Sequence, residues 1–213
     1  MNKENYLIRP ERPEDYAEVE NLTREAFWNV YHPGCMEHFV LHKFRDDPDF
    51  VPELDFVLEQ EGRIIGHVMF AKAVIKSDDG REIPIMTFGP ISIDPALQRQ
   101  GWGKKLLDYA LDKARSMGVG AVAMTGNILF YGNCGFEVAS TRGIRYAEAE
   151  PGDEVVPYFL LQELQPGFLK GVTGSFREPA GYFVCQTFPE EFERYEAGFP
   201  AKEARIQPGQ LTH

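Results

Sequence analysis

The feature that most restricts the fold is a run of three β-type segments between residues 54 and 93. The segments LDFVLEQ, RIIGHVMFAKAVI and IPIMTFGPISI are rich in β-branched and aromatic side chains. Glu61-Gly62 separates the first two, and SDDGRE at 77–82 separates the last two. Both separators have the composition of hairpin turns, so the pattern predicts an antiparallel meander of three strands.

The third segment contains Gly89-Pro90, and proline cannot donate a hydrogen bond to a neighbouring strand. We therefore expect a bulge, or the end of pairing, at this dipeptide. The segment leads through Asp94-Pro95 into an amphipathic helix that ends near Gly118. Its predicted apolar face consists of Leu106, Leu107, Ala110, Leu111, Ala114 and Met117.

The segment VGAVAM at 119–124 is continuously apolar, as in a buried parallel strand. With the helix before it, residues 83–124 form a predicted right-handed βαβ unit. Upstream, an apolar run spans Tyr6 to Ile8, and the spacing of apolar residues predicts a helix at about 13–29. MEHFVLHKF, at 36–44, predicts a second, shorter helix.

Downstream, FYGNCGFEV predicts a tight turn and a strand that begins at Phe136. In the last third, VVPYFLLQEL and GYFVC favour strands, and Thr187 with Glu190 predicts a capping box for a short helix.

We divide the chain into a core at 1–147 and an extension at 148–213 packed on the same domain. The extension could cover a substrate pocket, extend the sheet or form a homodimer contact.

Composition narrows the classes of partner. The 213 residues are 43% hydrophobic, enough for one substantial core, and the net charge is −11. Such an acidic surface disfavours nucleic acid and anionic membranes. Three cysteines without paired spacing fit reduced thiols, and the start of the sequence lacks the apolar segment of a secretory signal. We expect a cytoplasmic protein.

The loop before the amphipathic helix reads QRQGWGKKLL at 98–107. A helix N-terminus carries outward-pointing amides and a partial positive charge, and glycines let phosphate oxygens approach the backbone. The loop is not a dinucleotide fingerprint, because Leu106 occupies the place of the third glycine. It is not a Walker loop either, because only Trp102 separates its glycines.

With its Gln98-x-x-Gly101-x-Gly103 pattern, the chain resembles the GNAT superfamily of acyl-CoA-dependent N-acyltransferases. IRPERPEDYAEVENLTREAF is similar to the family's first strand and helix, and FYGNCGF to its tyrosine segment. The resemblance covers about residues 5–138. It implies a mixed, mostly antiparallel α/β (α+β) sheet flanked by helices and splayed between strands 4 and 5. It also implies direct acetyl transfer from acetyl-CoA to a primary amine of a small molecule or peptide.

The resemblance further implies roles for individual residues. The backbone around the glycines would hold the pyrophosphate of coenzyme A, and amides at Ile91 and Ile93 would align the pantetheine and thioester. Tyr131 would donate a proton to the departing thiolate. Met124 stands where many members have asparagine, which puts that coenzyme contact in doubt. The predicted coenzyme-binding residues are Ile91, Ile93, Gln98, Arg99, Gly101, Trp102, Gly103 and Lys104.

Other polar residues carry weaker signals. His67, Glu53 and Asp55 are candidates for a general base, as is a water relay, and the sequence does not choose among them. His38 and His42 have the i, i+4 spacing of a metal pair, but no third ligand is evident, so we expect no metal. Cys134 lacks recognisable partners for nucleophilic catalysis and is predicted to be a small buried side chain.

Two classes of function remain open at this stage. One is the acetyltransferase, whose acceptor the sequence does not reveal. The other is a noncatalytic module that keeps the fold and binds coenzyme A as a sensor or partner domain. Release of free coenzyme A with an amine distinguishes the first from the second.

Overall fold

The computed structural model describes residues 5–149, 155–208 and 210, and the chain divides into two units. The first unit comprises Met1–Met69, Pro90–Leu106 and Ala180–His213. The second comprises Phe70–Gly89 and Leu107–Pro179. None of the helices in the described ranges combines the length and the apolarity that a bilayer span requires.

Within the first unit, a sheet and two helices follow the predicted order. Strand β1 (Tyr6–Pro10) leads to α1 (Tyr16–Phe27), α2 (Glu37–Phe44) and β2 (Phe56–Gln60). Two long strands, β3 (Arg63–Ser77) and β4 (Glu82–Ile93), contribute residues to both units. Hydrogen-bonded neighbours run β1-β2-β3-β4, and both β1–β2 and β2–β3 are antiparallel.

The predicted hairpin turns explain why the meander forms. Glu61 has φ 51° and Gly62 has φ 77°, which is the left-handed pair that a two-residue turn requires. Their backbone twist matches that of the flanking strands, so β2 and β3 pair from Gln60 with Arg63 onward. The meander predicted from the sequence is therefore confirmed.

The helix after β4 is α3 (Trp102–Ser116), and its predicted apolar face is confirmed for all residues but one. Met117 was assigned to that face wrongly, because its side chain is 49% exposed. The helix ends at Ser116, and Gly118, at φ 85°, turns the chain directly after Met117. Met117 therefore does not continue the buried face of the helix.

The second unit is built around β5 (Ala121–Thr125), α4 (Ile128–Tyr131), β6 (Glu137–Val138) and β7 (Ile144–Tyr146). Strands β8 (Phe159–Glu163) and β9 (Gly174–Phe176) complete it. Neighbours run β4-β5-β8-β6, while β9 pairs with both β7 and β3. Strands β4 and β5 run parallel and are paired at one position, Met86 with Val122, whereas β5 and β8 are paired at five positions. This short ladder fits the expected splay between strands 4 and 5.

The C-terminal region differs from the prediction. GYFVC, predicted as a strand, is instead a 3-10 turn at Ala180–Phe183 followed by α5 (Val184–Thr187). A Cβ at Gly181 would lie 2.6 Å from Cζ of Phe44, so long-range packing fixes this segment. The short helix α6 (Pro189–Glu196) is present, but the capping box is wrong. The Thr187 hydroxyl donates to the Phe183 carbonyl at 2.9 Å instead.

Two further boundaries were missed. The segment before β6 contains the helix α4, rather than only a tight turn, and the strand begins at Glu137 rather than Phe136. Strands β7 and β9 have three residues each. So few residues carry no readable alternation, which explains why the sequence did not predict them.

Candidate active site

The glycine loop, defined as residues 94–104, is fixed at its start by local hydrogen bonds. The Asp94 carboxylate accepts from the Ala96 amide at 2.9 Å and begins a 3-10 turn. Gln98 follows this turn, and its Nε2 donates to the Ile93 carbonyl at 3.1 Å. The Gln98 side chain, predicted as a coenzyme contact, therefore ties the glycine loop to the end of β4.

The middle of the glycine loop has an unusual backbone. Arg99 has φ 61° and Gly101 has φ 87°, both in the left-handed region. A Cβ built on Gly101 would meet nothing within 4 Å, so this glycine faces open space. The amide of Lys105 then donates to the Gly101 carbonyl at 3.1 Å as α3 begins. Amides in the first turn of a helix have no intrahelical acceptor, and the helix dipole favours an anion there.

Trp102 anchors this helix terminus. Its ring is 5% exposed and meets the edge of Tyr6 at a centroid distance of 5.5 Å. The Nζ of Lys105 lies 4.2 Å from the centroid of the Trp102 ring, within cation–π range. Trp102 therefore contributes packing through its side chain, and only its backbone is suited to bind a ligand.

At the end of β4, the hydroxyl of Ser92 is buried 2.8 Å from that of Thr23, so the backbone is what this segment offers a ligand. Gly89 has φ 139°, which β-branched residues do not adopt, and Pro90 follows it. Ile91 is half-buried and Ile93 is buried. The Cδ1 of Ile93 would lie 2.7 Å from a Cβ at Gly66, so Ile93 packs into the space that this glycine leaves. Any polar contact at Ile91 or Ile93 must come from the main chain.

Tyr131 belongs to the second unit, at the end of α4, and is half-buried. Its ring packs against Phe130 at 4.8 Å, Phe88 at 5.8 Å and Phe136 at 5.9 Å between centroids. Asn127 caps the helix, because its side chain accepts from the Leu129 amide at 2.9 Å. Many family members have asparagine at the position of Met124, which is buried here. Asn127, the nearest asparagine in the sequence, therefore has a structural role.

A second polar group in the first unit joins residues distant in the chain: Glu11, Arg45, Asp55 and His67, here called the buried carboxylate cluster. Nε2 of His67 lies 2.7 Å from Oδ1 of Asp55 and 3.9 Å from Oε1 of Glu11. Arg45 donates to both oxygens of Glu11, at 2.8 and 3.1 Å. The guanidinium also pairs with Glu20 and stacks 3.8 Å from the centroid of Tyr16.

Burial dominates the electrostatics of this cluster. Desolvation raises the pKa of Glu11 to about 7 and the pKa of Asp55 to about 6. Desolvation also lowers the pKa of His67 to about 4, so its imidazole is neutral at physiological pH. Glu53, the other candidate base, is exposed. The sequence suggested Asp55 and His67 but gave no sign of Glu11 and Arg45, because the four residues come from separate elements.

In the described part of the chain, the buried carboxylate cluster is where three potential metal ligands come close together. Donor atoms of Glu11, Asp55 and His67 all lie within 4.8 Å of one another. Arg45 already supplies a positive charge to Glu11 at hydrogen-bond distance, which makes a divalent cation beside it unfavourable.

The two histidines at helical spacing contact different carboxylates. Nε2 of His38 lies 2.8 Å from Oε2 of Glu196, while Nδ1 of His42 lies 3.0 Å from Oε1 of Glu20. His38 is fully buried, and desolvation lowers its pKa to about 4. Cys134 is buried, as predicted, and it forms no disulfide.

Comparison with known proteins identifies the family. A model of the acetyltransferase (GNAT) family matches residues 16–136, which is more than half of the chain. The chain therefore belongs to the GNAT acetyltransferase family. Over 168 residues it is 29% identical to the uncharacterized N-acetyltransferase YhbS of Escherichia coli strain K12, covering 79% of this chain and 93% of YhbS.

Solved structures agree with this assignment. The crystal structure of the E. coli GNAT family N-acetyltransferase YhbS, in complex with CoA, has a TM-score of 0.72 and 26% identity. The match covers 85% of this chain and 94% of that one. A GNAT family acetyltransferase of Brucella melitensis, in complex with acetyl-CoA, has a TM-score of 0.65 and 25% identity, covering 84% and 99%. The protein has the GNAT fold, a mixed sheet with a parallel β4–β5 pair flanked by helices.

Proposed function

We propose that this protein transfers an acetyl group from acetyl-CoA directly to a primary amine of a small molecule or peptide. The observation that carries the proposal is the glycine loop. Its left-handed backbone at Arg99 and Gly101 opens directly into the N-terminus of the 15-residue helix α3. The two similar structures with bound CoA or acetyl-CoA support the same ligand.

In this proposal the main chain of the glycine loop binds the pyrophosphate. Amides around Arg99, Gly101, Gly103 and Lys104 donate to phosphate oxygens, and the helix dipole adds to the attraction. The open space at Gly101 supports close approach of the ligand, since no side chain stands there. Trp102 and Gln98 contribute by holding the loop in shape.

The reaction needs a polarised thioester carbonyl. The backbone at Ile91 and Ile93 is proposed to align the pantetheine and the thioester. The positive φ of Gly89 supports a bulge in β4 just before these residues, and the strand continues through them to Ile93. The amine nitrogen attacks the carbonyl carbon, the carbon–sulfur bond breaks, and the sulfur leaves as a thiolate.

Tyr131 is proposed to donate a proton to that thiolate, while the amine gives up a proton to solvent or to a base. The tyrosine hydroxyl carries a proton and can serve as the acid in such a transfer. We assign no general base. The hydrogen bond between His67 and Asp55 and their burial give both residues a structural explanation.

The test is a thiol-release assay with acetyl-CoA and a panel of amines. The acetyltransferase releases free coenzyme A with at least one acceptor and forms an acetylated product detectable by mass spectrometry. A noncatalytic coenzyme-binding module binds acetyl-CoA but releases no thiol with any amine, and that result would contradict the proposal.

Tyr131→Phe tests the proton donor. We expect kcat to fall by about 10²-fold, which is typical of lost acid catalysis, with the Kd for acetyl-CoA unchanged. Steady-state kinetics and calorimetry measure the two quantities separately. Unchanged turnover would remove Tyr131 from the mechanism.

A further inference from the structure

The residue Gly126, between β5 and α4, makes an unusually close approach to Tyr131. A Cβ built on Gly126 would lie 2.4 Å from Cε2 and 2.9 Å from Cδ2 of the Tyr131 ring, and 2.8 Å from Cε of Met124. Carbon atoms in good contact are about 3.5–4.0 Å apart, so a methyl group does not fit there. The ring edge that lies on Gly126 includes Cε2, the carbon next to the one that carries the hydroxyl.

Neither side of this contact can move easily. The Gly126 amide donates to the Tyr158 carbonyl at 2.7 Å, directly after the paired residues Thr125 and Phe159. On the other side, the Tyr131 ring already packs against Phe88 and Phe136. Cε of Met124 is the end of a flexible side chain and can shift aside, so the lasting conflict is with the Tyr131 ring. The added methyl group must push the phenol by about 1 Å or disturb the aromatic rings that pack against it.

We propose that Gly126 is a positioning residue for Tyr131: the absence of a side chain at 126 sets where the phenol hydroxyl lies. This proposal rests on the proposed function, in which Tyr131 donates a proton. A displacement of about 1 Å in a reacting group can cost up to about 10²-fold in rate. Gly126 thus acts through Tyr131 and need not touch the substrate.

The variant Gly126→Ala tests the proposal, and Gly132→Ala is its matched control. Gly132 immediately follows Tyr131 and has φ −58°, a helical value that alanine adopts readily. A Cβ there would lie 3.6 Å from Cδ1 of Ile128, an ordinary contact. Both variants add one methyl group beside the same tyrosine, but only the first adds it against the phenol ring.

We expect Gly126→Ala to lower kcat by about 10- to 100-fold while the Kd for acetyl-CoA changes by less than about twofold. Gly132→Ala should keep wild-type values. The double variant Gly126→Ala/Tyr131→Phe should be no slower than Tyr131→Phe alone, because the hydroxyl that Gly126 positions is already gone. If the two losses multiply instead, Gly126 acts by another route and the proposal is overturned.

A measurement of stability decides the packing claim independently of activity. Gly126→Ala should lower Tm by about 2 °C or more in the wild-type background. In the Tyr131→Ala background, where the ring is absent, the same substitution should lower Tm by much less. An equal loss of Tm in both backgrounds would show that the methyl group strains another neighbour, such as Cε of Met124, rather than the Tyr131 ring, and would overturn the proposal.

The outcomes separate this proposal from the proposed function. Unchanged turnover in Tyr131→Phe would overturn the role of Tyr131 and with it the positioning role of Gly126. If Tyr131→Phe is slow but Gly126→Ala is as active as Gly132→Ala, only the role of Gly126 is overturned.

Discussion

The glycine loop and the buried carboxylate cluster both belong to the first unit, but they are built in opposite ways. The glycine loop is one continuous segment whose side chains at Arg99 and Gln100 are exposed. Two of the hydrogen bonds that shape it join residues only two and five positions apart, Asp94 with Ala96 and Ile93 with Gln98. The buried carboxylate cluster joins residues as far apart as Glu11 and His67, and His67 is fully buried.

The difference indicates which atoms matter in each region. In the glycine loop the backbone is proposed to bind the ligand, so most side-chain changes should have small effects. In the buried carboxylate cluster the side chains pair with one another away from water, apart from Nδ1 of His67, so removal of one leaves a partner buried and unpaired. The predictions below test this contrast in order of decreasing effect.

The largest effect is expected for Arg45→Met. This change removes the cation that bridges the buried Glu11 and Glu20. Breaking a buried ion pair by removal of one partner costs about 3–5 kcal/mol, and protonation of Glu11 relieves part of that cost. We expect the free energy of unfolding in urea to fall by about 3 kcal/mol at pH 7.

Arg63→Met is the matched control, because it breaks an arginine–carboxylate pair at the glycine loop. Nη2 of Arg63 lies 2.9 Å from Oδ2 of Asp94, and the Arg63 side chain is 71% exposed. Exposed pairs contribute little to stability, so we expect no measurable loss. Equal losses in Arg45→Met and Arg63→Met would contradict the contrast between the two regions.

An intermediate effect is expected for Asp55→Asn, and it depends on pH. The pKa of Asp55 is raised from 3.8 to about 6, so the folded state binds this proton more tightly than the unfolded state. The stabilisation is present below pH 4 and is lost as the pH rises through 6. Asparagine does not titrate, and its oxygen can still accept from His67.

The free energy of unfolding of Asp55→Asn relative to wild type should therefore increase between pH 4 and pH 7, by on the order of 2 kcal/mol. The lowered pKa of His67 acts in the opposite direction, since its stabilisation is lost as the pH falls through about 4. His67 is present in both proteins, so the difference reports Asp55 together with its effect on Glu11, whose raised pKa depends in part on Asp55. Urea titrations at four pH values measure it, and a flat or decreasing difference would refute the burial argument.

The smallest effect is expected for Arg99→Gly. Arginine at φ 61° is strained, and glycine relieves this strain while it adds freedom to the unfolded chain. We expect the free energy of unfolding to change by less than about 1 kcal/mol. The Kd for acetyl-CoA, measured by calorimetry, should change by less than about threefold. A much larger loss of affinity would show that the Arg99 side chain itself binds the coenzyme.

The same contrast explains how much the sequence predicted. The meander, α3 and the glycine loop follow from local signals, namely the period of the apolar residues, the turn at Glu61-Gly62 and the glycines before the helix. Local signals failed where packing between distant residues decides the outcome. The helical turn around Gly181 forms because Phe44 occupies the space beside it, and no pattern in GYFVC indicates that.

The residues of the candidate site also fall into those that the sequence identified and those that it did not. Tyr131 was identified because it lies within a short recognisable segment, whereas its neighbour Gly126 was not, since its closeness to the phenol ring is visible only in three dimensions. Glu11 and Arg45 were missed for the same reason. Residues that act through contiguous backbone can be read from a sequence, while those that act through tertiary contacts require the structure.

Calorimetric titration with acetyl-CoA tests the central claim most directly. The proteins to compare are the wild type, Gly101→Val/Gly103→Val and the control Gly62→Val. Gly62, like Gly101, has a positive φ and open space at its Cβ position, but it lies in the β2–β3 turn. We expect micromolar binding by the wild type and the control, and none by the double variant. No binding by the wild type, or equal binding by the double variant, would contradict the assignment of the coenzyme to the glycine loop.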